Sequence, residues 1–148
     1  MTTSQLTPTD RLERLRSQFQ ARAAGWWKVK DGHLEQVGFA AGSDLPDQVA
    51  RQFAEATRSV ALSQRGLGIV KAAITGEVAV SLTSELPAES GSGLWLRLFD
   101  AARSVAVPIR DGLGLITSVV SLALAETVTS EADIATTIRA EVELWPNL

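Results

Sequence analysis

Cysteine is absent from the 148 residues. That one absence removes disulfide frameworks, thiolate metal centres, thiol nucleophiles and thioether-linked cofactors together. There is a single histidine and no tyrosine, so a hydrolytic triad would have to rest on His33, and no pattern in the chain orients it. An excess of basic charge is missing too: 14 Lys and Arg against 17 Asp and Glu leave a net charge of -3, with no electrostatic footprint for DNA or RNA. The longest apolar run, LGLITSVVSLALA, is thirteen residues with three hydroxyls, too short to span a membrane. The opening MTTSQLTPTD lacks the apolar core of a signal peptide. The expectation is a soluble, cytoplasmic protein without nucleic-acid or membrane partners. A chain running from Met1 to WPNL is expected to have no room for an output domain, so any signal is expected to leave through association with another protein.

What is present suits one globular domain over residues 1–148, at 45% hydrophobic and 21% charged, a length that buries about two thirds of the unfolded surface. TPTDRLERLRSQFQARAA opens with Thr7, Pro8 and Asp10 as a capping box with proline in the first turn, and Leu12, Leu15 and Phe19 recur at helical spacing. In WWKVKDGHLEQVGFAA two short runs flank Asp31-Gly32, a hairpin signal, with Trp27, Val29, Val37 and Phe39 expected on one face. SDLPDQVARQFAEATRSVALSQ predicts a helix with Asp44 and Asp47 at cap positions, Pro46 in its first turn, and Val49, Phe53, Ala56 and Val60 along one side. A shorter helix ended by Gly76 follows, then a strand around Val78 to Leu82 and a polar loop from Thr83 to Gly93. LWLRLFDAA predicts a brief helix, and SVAVPIRDGLG a strand with an internal proline that turns at Asp111-Gly112 into a second strand, about Leu115 to Leu122. Ser130 and Asp133 cap a last helix carrying Ile134, Ile138 and Val142. Strand and helix do not alternate regularly, which argues for an α+β fold on an antiparallel sheet.

Motifs for catalysis are not found. GLGIVK has Gly66 and Gly68 but follows a helix and lacks the third glycine of a dinucleotide loop, and ESGSGLW is neither a nucleophile elbow nor a P-loop. His33 directly follows the Asp31-Gly32 turn, where an exposed position is the commoner use of a histidine than a metal or haem ligand. No catalytic residue, metal ligand or cofactor is assigned.

Three segments in order, GWWKVKDGHLEQVGFAA, GLGIVKAAITGEVAV and ARSVAVPIRDGLGLITSVVSLAL, resemble the GAF domain, a sensory α+β module related to PAS domains, over roughly residues 11 to 143. The resemblance implies a central antiparallel sheet of five to six strands flanked by helices, with the N- and C-terminal helices packed together. It implies that SVAVPIRDG is a central strand beside a ligand cavity, where Pro108 should produce a bulge or a missing ladder bond. It also implies ligand chemistries that this chain does not match. Bilin attachment and the free methionine sulfoxide reductase reaction of this fold need cysteine, and the Asn-Lys...Phe...Asp-Glu signature of cyclic-nucleotide-binding members is not found.

Within that frame, Trp27, Phe39, Trp95 and Phe99 are candidates to line the pocket, with core packing the commoner use of such side chains. Arg103 and Arg110 bracket the central strand and are candidates to hold an anionic ligand at its mouth, against the alternative of ordinary surface arginines. Trp26 and Trp27 are consecutive in a strand and point to opposite faces. Leu12, Leu15 and Phe19 with Ile134, Ile138 and Val142 are candidates for a homodimer interface; alternatively, both helices simply cover their own sheet. The expected function is a non-enzymatic regulatory module that binds a small molecule or a signalling partner. The alternative is an interaction module whose cavity is filled by side chains.

Overall fold

The computed structural model describes residues 7–89 and 91–145. The two ends of the expected 1–148 domain, and Ser90 in the expected Thr83–Gly93 loop, lie outside the described residues. Helix α1, Pro8–Phe19, begins with the capping box: Asp10 N–H donates to Thr7 Oγ1 at 3.1 Å and Thr7 N–H to Asp10 Oδ2 at 3.2 Å. Strands β1, Ala23–Lys30, and β2, His33–Ala41, join through Asp31 and Gly32, both at positive φ as a tight hairpin requires. Then come α2, Asp47–Ala56; β3, Ser59–Ala61; α3, Gly68–Thr75, ended by Gly76; and β4, Ala79–Leu82. A single 3-10 turn, Thr83–Glu85, precedes α4, Gly91–Leu98; β5, Arg103–Arg110, and β6, Ile116–Leu124, form the second long hairpin; and α5, Glu131–Val142, starts from the Ser130 cap.

The strands form one antiparallel sheet in the order β3-β2-β1-β6-β5-β4. Alternation sends Trp26, Val105, Val120, Leu122 and Leu124 to one face, under α1 and α5, and Trp27, Ala106 and Val119 to the other, under α2 and α3. Because helices cover both faces, both tryptophans are buried, and the central strands are apolar nearly throughout. The terminal helices share one apolar layer, where Leu12, Leu15, Ile134 and Ile138 are fully buried against the sheet of their own chain, with Phe19 and Val142 at its margin. Those four side chains expose no surface to a second subunit in this arrangement, so it is the alternative, helices covering their own sheet, that describes them.

Four local expectations are corrected. Val37 does not share a face with Trp27 and Phe39. The β1–β2 register slips between Trp26 and Trp27, opposite Val37, and this bulge turns Val37 toward α1 while Phe39 stays on the Trp27 side. Neither Asp44 nor Asp47 caps α2: Pro46 occupies the cap position without a side-chain hydrogen bond. That helix stops at Ala56, where the Thr57 hydroxyl donates to the Phe53 carbonyl at 2.8 Å, and Val60 belongs to the edge strand β3. Gly91 and Gly93 lie in α4, not in a loop; Gly93 lets the helix sit so close to the Pro87 carbonyl that a Cβ would overlap it. Pro108 behaves as expected. The pairing of β4 with β5 ends at Ala106, and the β5–β6 register slips between Ile109 and Arg110, one residue beyond the proline.

Candidate functional site

Phe53, on α2, is the hub of the aromatic side chains on the α2–α4 face. Its ring centroid is 6.2 Å from Trp27, 5.2 Å from Phe39, 5.1 Å from Trp95 and 5.1 Å from Phe99, three of these contacts being edge-to-face. Trp27 can reach this hub because Gly25, two residues earlier on the same face, leaves room for the indole; a Cβ built there would overlap the ring. The indole N–H donates to the Thr57 carbonyl at 2.8 Å. Gln36 Nε2 donates to Thr57 Oγ1 at 3.1 Å and to the Ala54 carbonyl at 3.2 Å. The end of α2 is thereby pinned to β1 by the buried Trp27 and Thr57 and to β2 by the half-buried Gln36.

Two neighbouring spaces lie beside the hub. An inner cavity of about 50 Å³ is lined by Trp27, Phe53, Trp95, Leu96, Phe99 and Ile69, with Ser104 on β5 and Ser121 and Ala123 on β6 as its floor. An outer cleft of about 430 Å³ is lined by the Gln64–Gly68 segment, Lys71, Ser81, Leu86, Pro87 and Trp95. Thr57, Leu67, Gly68 and Trp95 border both. Ligand sites run from about 300 Å³ upward, so the outer cleft has the size of one and the inner cavity does not. The cleft's described lining holds two cations, Arg65 and Lys71, and no carboxylate.

Of the residues expected at the pocket, Trp27, Trp95 and Phe99 converge on the inner cavity. Phe39 does not line it; its ring lies against Phe53 and backs the hub. Arg103 is buried on the opposite face, where its guanidinium serves the Glu126 and Thr129 carbonyls, because strand alternation turns it away from its neighbour Ser104. Arg110 donates to the carbonyls of Gly114 at 2.7 Å and Gly76 at 2.9 Å, tying the β5–β6 hairpin to the end of α3, and it lines neither space. Neither arginine stands at the mouth. Sequence reasoning placed Phe53 on a helix face without linking it to the other rings, and it did not single out Thr57, Arg65 or Lys71. The signal that was present is the basic, glycine-containing stretch QRGLGIVK, which runs from the connection after an edge strand into the first turn of α3.

Titration in the described residues is shifted at two salt-bridged carboxylates and, upward, at Arg16, all away from this site. The Arg16 guanidinium, hydrogen-bonded to Glu13, holds that carboxyl below its ordinary range. The Thr129 N–H, followed by the Val128 N–H and the Arg103 charge, holds Glu126 low against a burial penalty. Among the described residues no three acidic or histidine side chains are grouped to hold a metal ion, and no helix is long and apolar enough to cross a membrane.

No family model matches the sequence, and no curated protein is similar to it. Solved structures are similar in fold. The GAF domain/HD domain protein of Geobacter sulfurreducens aligns with a TM-score of 0.64 at 15% identity, over 90% of this chain and 82% of that one. The type II free methionine-R-sulfoxide reductase of Thermoplasma acidophilum aligns at 0.62 and 13%, over 92% and 87%. The GAF domain of a two-component sensor histidine kinase from Bacillus halodurans aligns at 0.60 and 9%, over 93% and 89%.

Proposed function

We propose, from the premise that the chain has the fold of a GAF domain, that it is a sensory module which binds a small anionic molecule in the outer cleft and passes the event on by association. The observation that carries this reading is the cleft itself: about 430 Å³, bordered by the aromatic hub through Trp95, with Arg65 and Lys71 and no carboxylate in its described lining. On a chain of net charge -3 such a lining is a local reversal of sign, and it favours a carboxylate or phosphate ester over a neutral or cationic ligand. The inner cavity then takes no more than a small apolar group of that ligand, unless Trp95 swings aside. The reading is non-enzymatic. A sulfoxide reductase shares the fold, but cysteine chemistry has no counterpart in this chain.

Association is proposed as a homodimer or with a signalling partner. With the inner faces of α1 and α5 occupied by their own sheet, either would use outer faces, with Phe19 and Val142 at the margin. A second reading, an interaction module with a filled cavity, is supported by the inner cavity's volume of about 50 Å³.

Native mass spectrometry of protein from its own host, before and after denaturation, tests both. Added mass on the native species, lost in Arg65→Gln/Lys71→Gln, supports the sensor and gives the ligand's size. Trp95→Ala is expected to lose ligand-induced thermal stabilisation. A clean dimer without added mass, indifferent to a panel of anionic metabolites, favours the interaction module.

A further inference from the structure

Arg103 has no part in the cleft, yet it is one of the most buried charges of the chain, at 5% exposure. A buried guanidinium is tolerated only when its donors are satisfied and its charge is met. Here Nε donates to the Glu126 carbonyl at 3.0 Å, Nη2 donates to the Thr129 carbonyl at 2.7 Å, and Nη2 lies 3.4 Å from Glu126 Oε2. The same carboxylate, through Oε1, accepts from the N–H groups of Val128 at 2.6 Å and Thr129 at 2.9 Å. The next residue, Ser130, caps α5 by accepting from Ala132 and Asp133. One guanidinium on the sheet thus shapes the segment that sets where the C-terminal helix begins.

The chain neighbour of Arg103 points the other way. Ser104 pairs with Ala123, and both form part of the cavity floor, while Arg103 pairs with Leu124 on the α5 face. Cavity floor and helix anchor are therefore consecutive residues of one strand, back to back across a single pleat. We propose that Arg103 is a latch on α5, coupled through this pleat to the cavity, so that a group pressing on Ser104 shifts β5 and loosens the helix. The bistable element is α5 itself, held by Ile134, Ala135 and Ile138 when docked. The coupling rests on the sensory reading above for its purpose, but not for its test, which needs no ligand.

Hydrogen exchange by mass spectrometry on the full chain would compare wild type, Arg103→Lys, Ser104→Leu and the double variant. Ser104→Leu stands in for an entering apolar group, and lysine keeps the charge of Arg103 but loses its fork. Each single change is expected to speed exchange across residues 127–142 by about tenfold while β1 and β6 keep their protection. The double variant should add little to either. Unchanged exchange over α5 in Ser104→Leu, or simple additivity of the two changes, overturns the coupling. Should Arg103→Lys unfold, Glu126→Gln, which removes the charge facing Arg103 and keeps one oxygen for the Val128 and Thr129 N–H groups, is read the same way. A cleft that binds no anion, with the exchange pattern as expected, would sink the sensory reading and leave the latch standing.

Discussion

The two adjacent tryptophans of β1 differ in one bond. The Trp27 indole N–H donates to the Thr57 carbonyl, whereas the Trp26 indole N–H is buried without a partner among the described residues. Replacing Trp27 with Phe orphans a buried carbonyl, and replacing Trp26 with Phe removes an orphaned donor. Trp27→Phe should therefore be the more destabilising by about 1–3 kcal/mol, read as the difference in urea midpoints. A second substitution reports on the same ring without touching it: Gly25→Ala forces the Trp27 indole off its seat, and a loss of about 1–3 kcal/mol is expected together with a change in tryptophan emission. The pairing of these residues was only half legible. Alternation says that consecutive side chains part company, but not that both faces of the sheet are covered, because that depends on five helices whose destinations no local pattern states.

Among the elements, those with their own local chemistry were readable. The α1 cap uses Thr7 and Asp10, and its removal by Thr7→Ala is expected to cost about 1 kcal/mol in thermal or denaturant unfolding. The Asp31-Gly32 turn and the Gly76 stop fall where their sequences put them, and the second hairpin turns from Asp111, with its left-handed residue at Gly114. Less was readable where a distant partner decides. Arg103 resembles any strand-end arginine until the Glu126–Thr129 segment folds over it, and the α2 boundary depends on Thr57 serving both Trp27 and Gln36. Three of the expected pocket rings converge, but the hub that unites them, Phe53, comes from a helix whose pattern placed it only on one side with Val49, Ala56 and Val60. The Glu126 segment also carries a pH dependence with a definite sign. Its carboxyl is held below the ordinary value in the folded chain, so its contribution is present above the unfolded carboxylate range and is lost as pH falls through the lower, folded value. Protection of α5 amides, corrected for intrinsic exchange, should fall on acidification, and Glu126→Gln should flatten that response.

For the molecule as a whole, the sheet is a partition with a different use on each side. One side is well filled at its centre: Leu12 and Leu15 of α1 and Ile134 and Ile138 of α5 are buried on it. The other is filled less completely, and its residual space sits at the junction of α2, α3 and α4 with the middle of the sheet. Variants that enlarge the α1–α5 side, such as Leu15→Ala, should lose about 2–5 kcal/mol in unfolding experiments without creating a response to anions. The filled side has a property of its own. Trp145, just past α5, lies with its ring centroid 4.5 Å from that of Trp26 and tilted by 49°, close enough for the electronic transitions of the two indoles to couple. Such a pair gives circular dichroism a band of two opposite lobes that neither indole produces alone. The chain thus carries an optical signature of its own C-terminal closure, present while the helix end lies against the sheet and gone when it lifts, with no label attached.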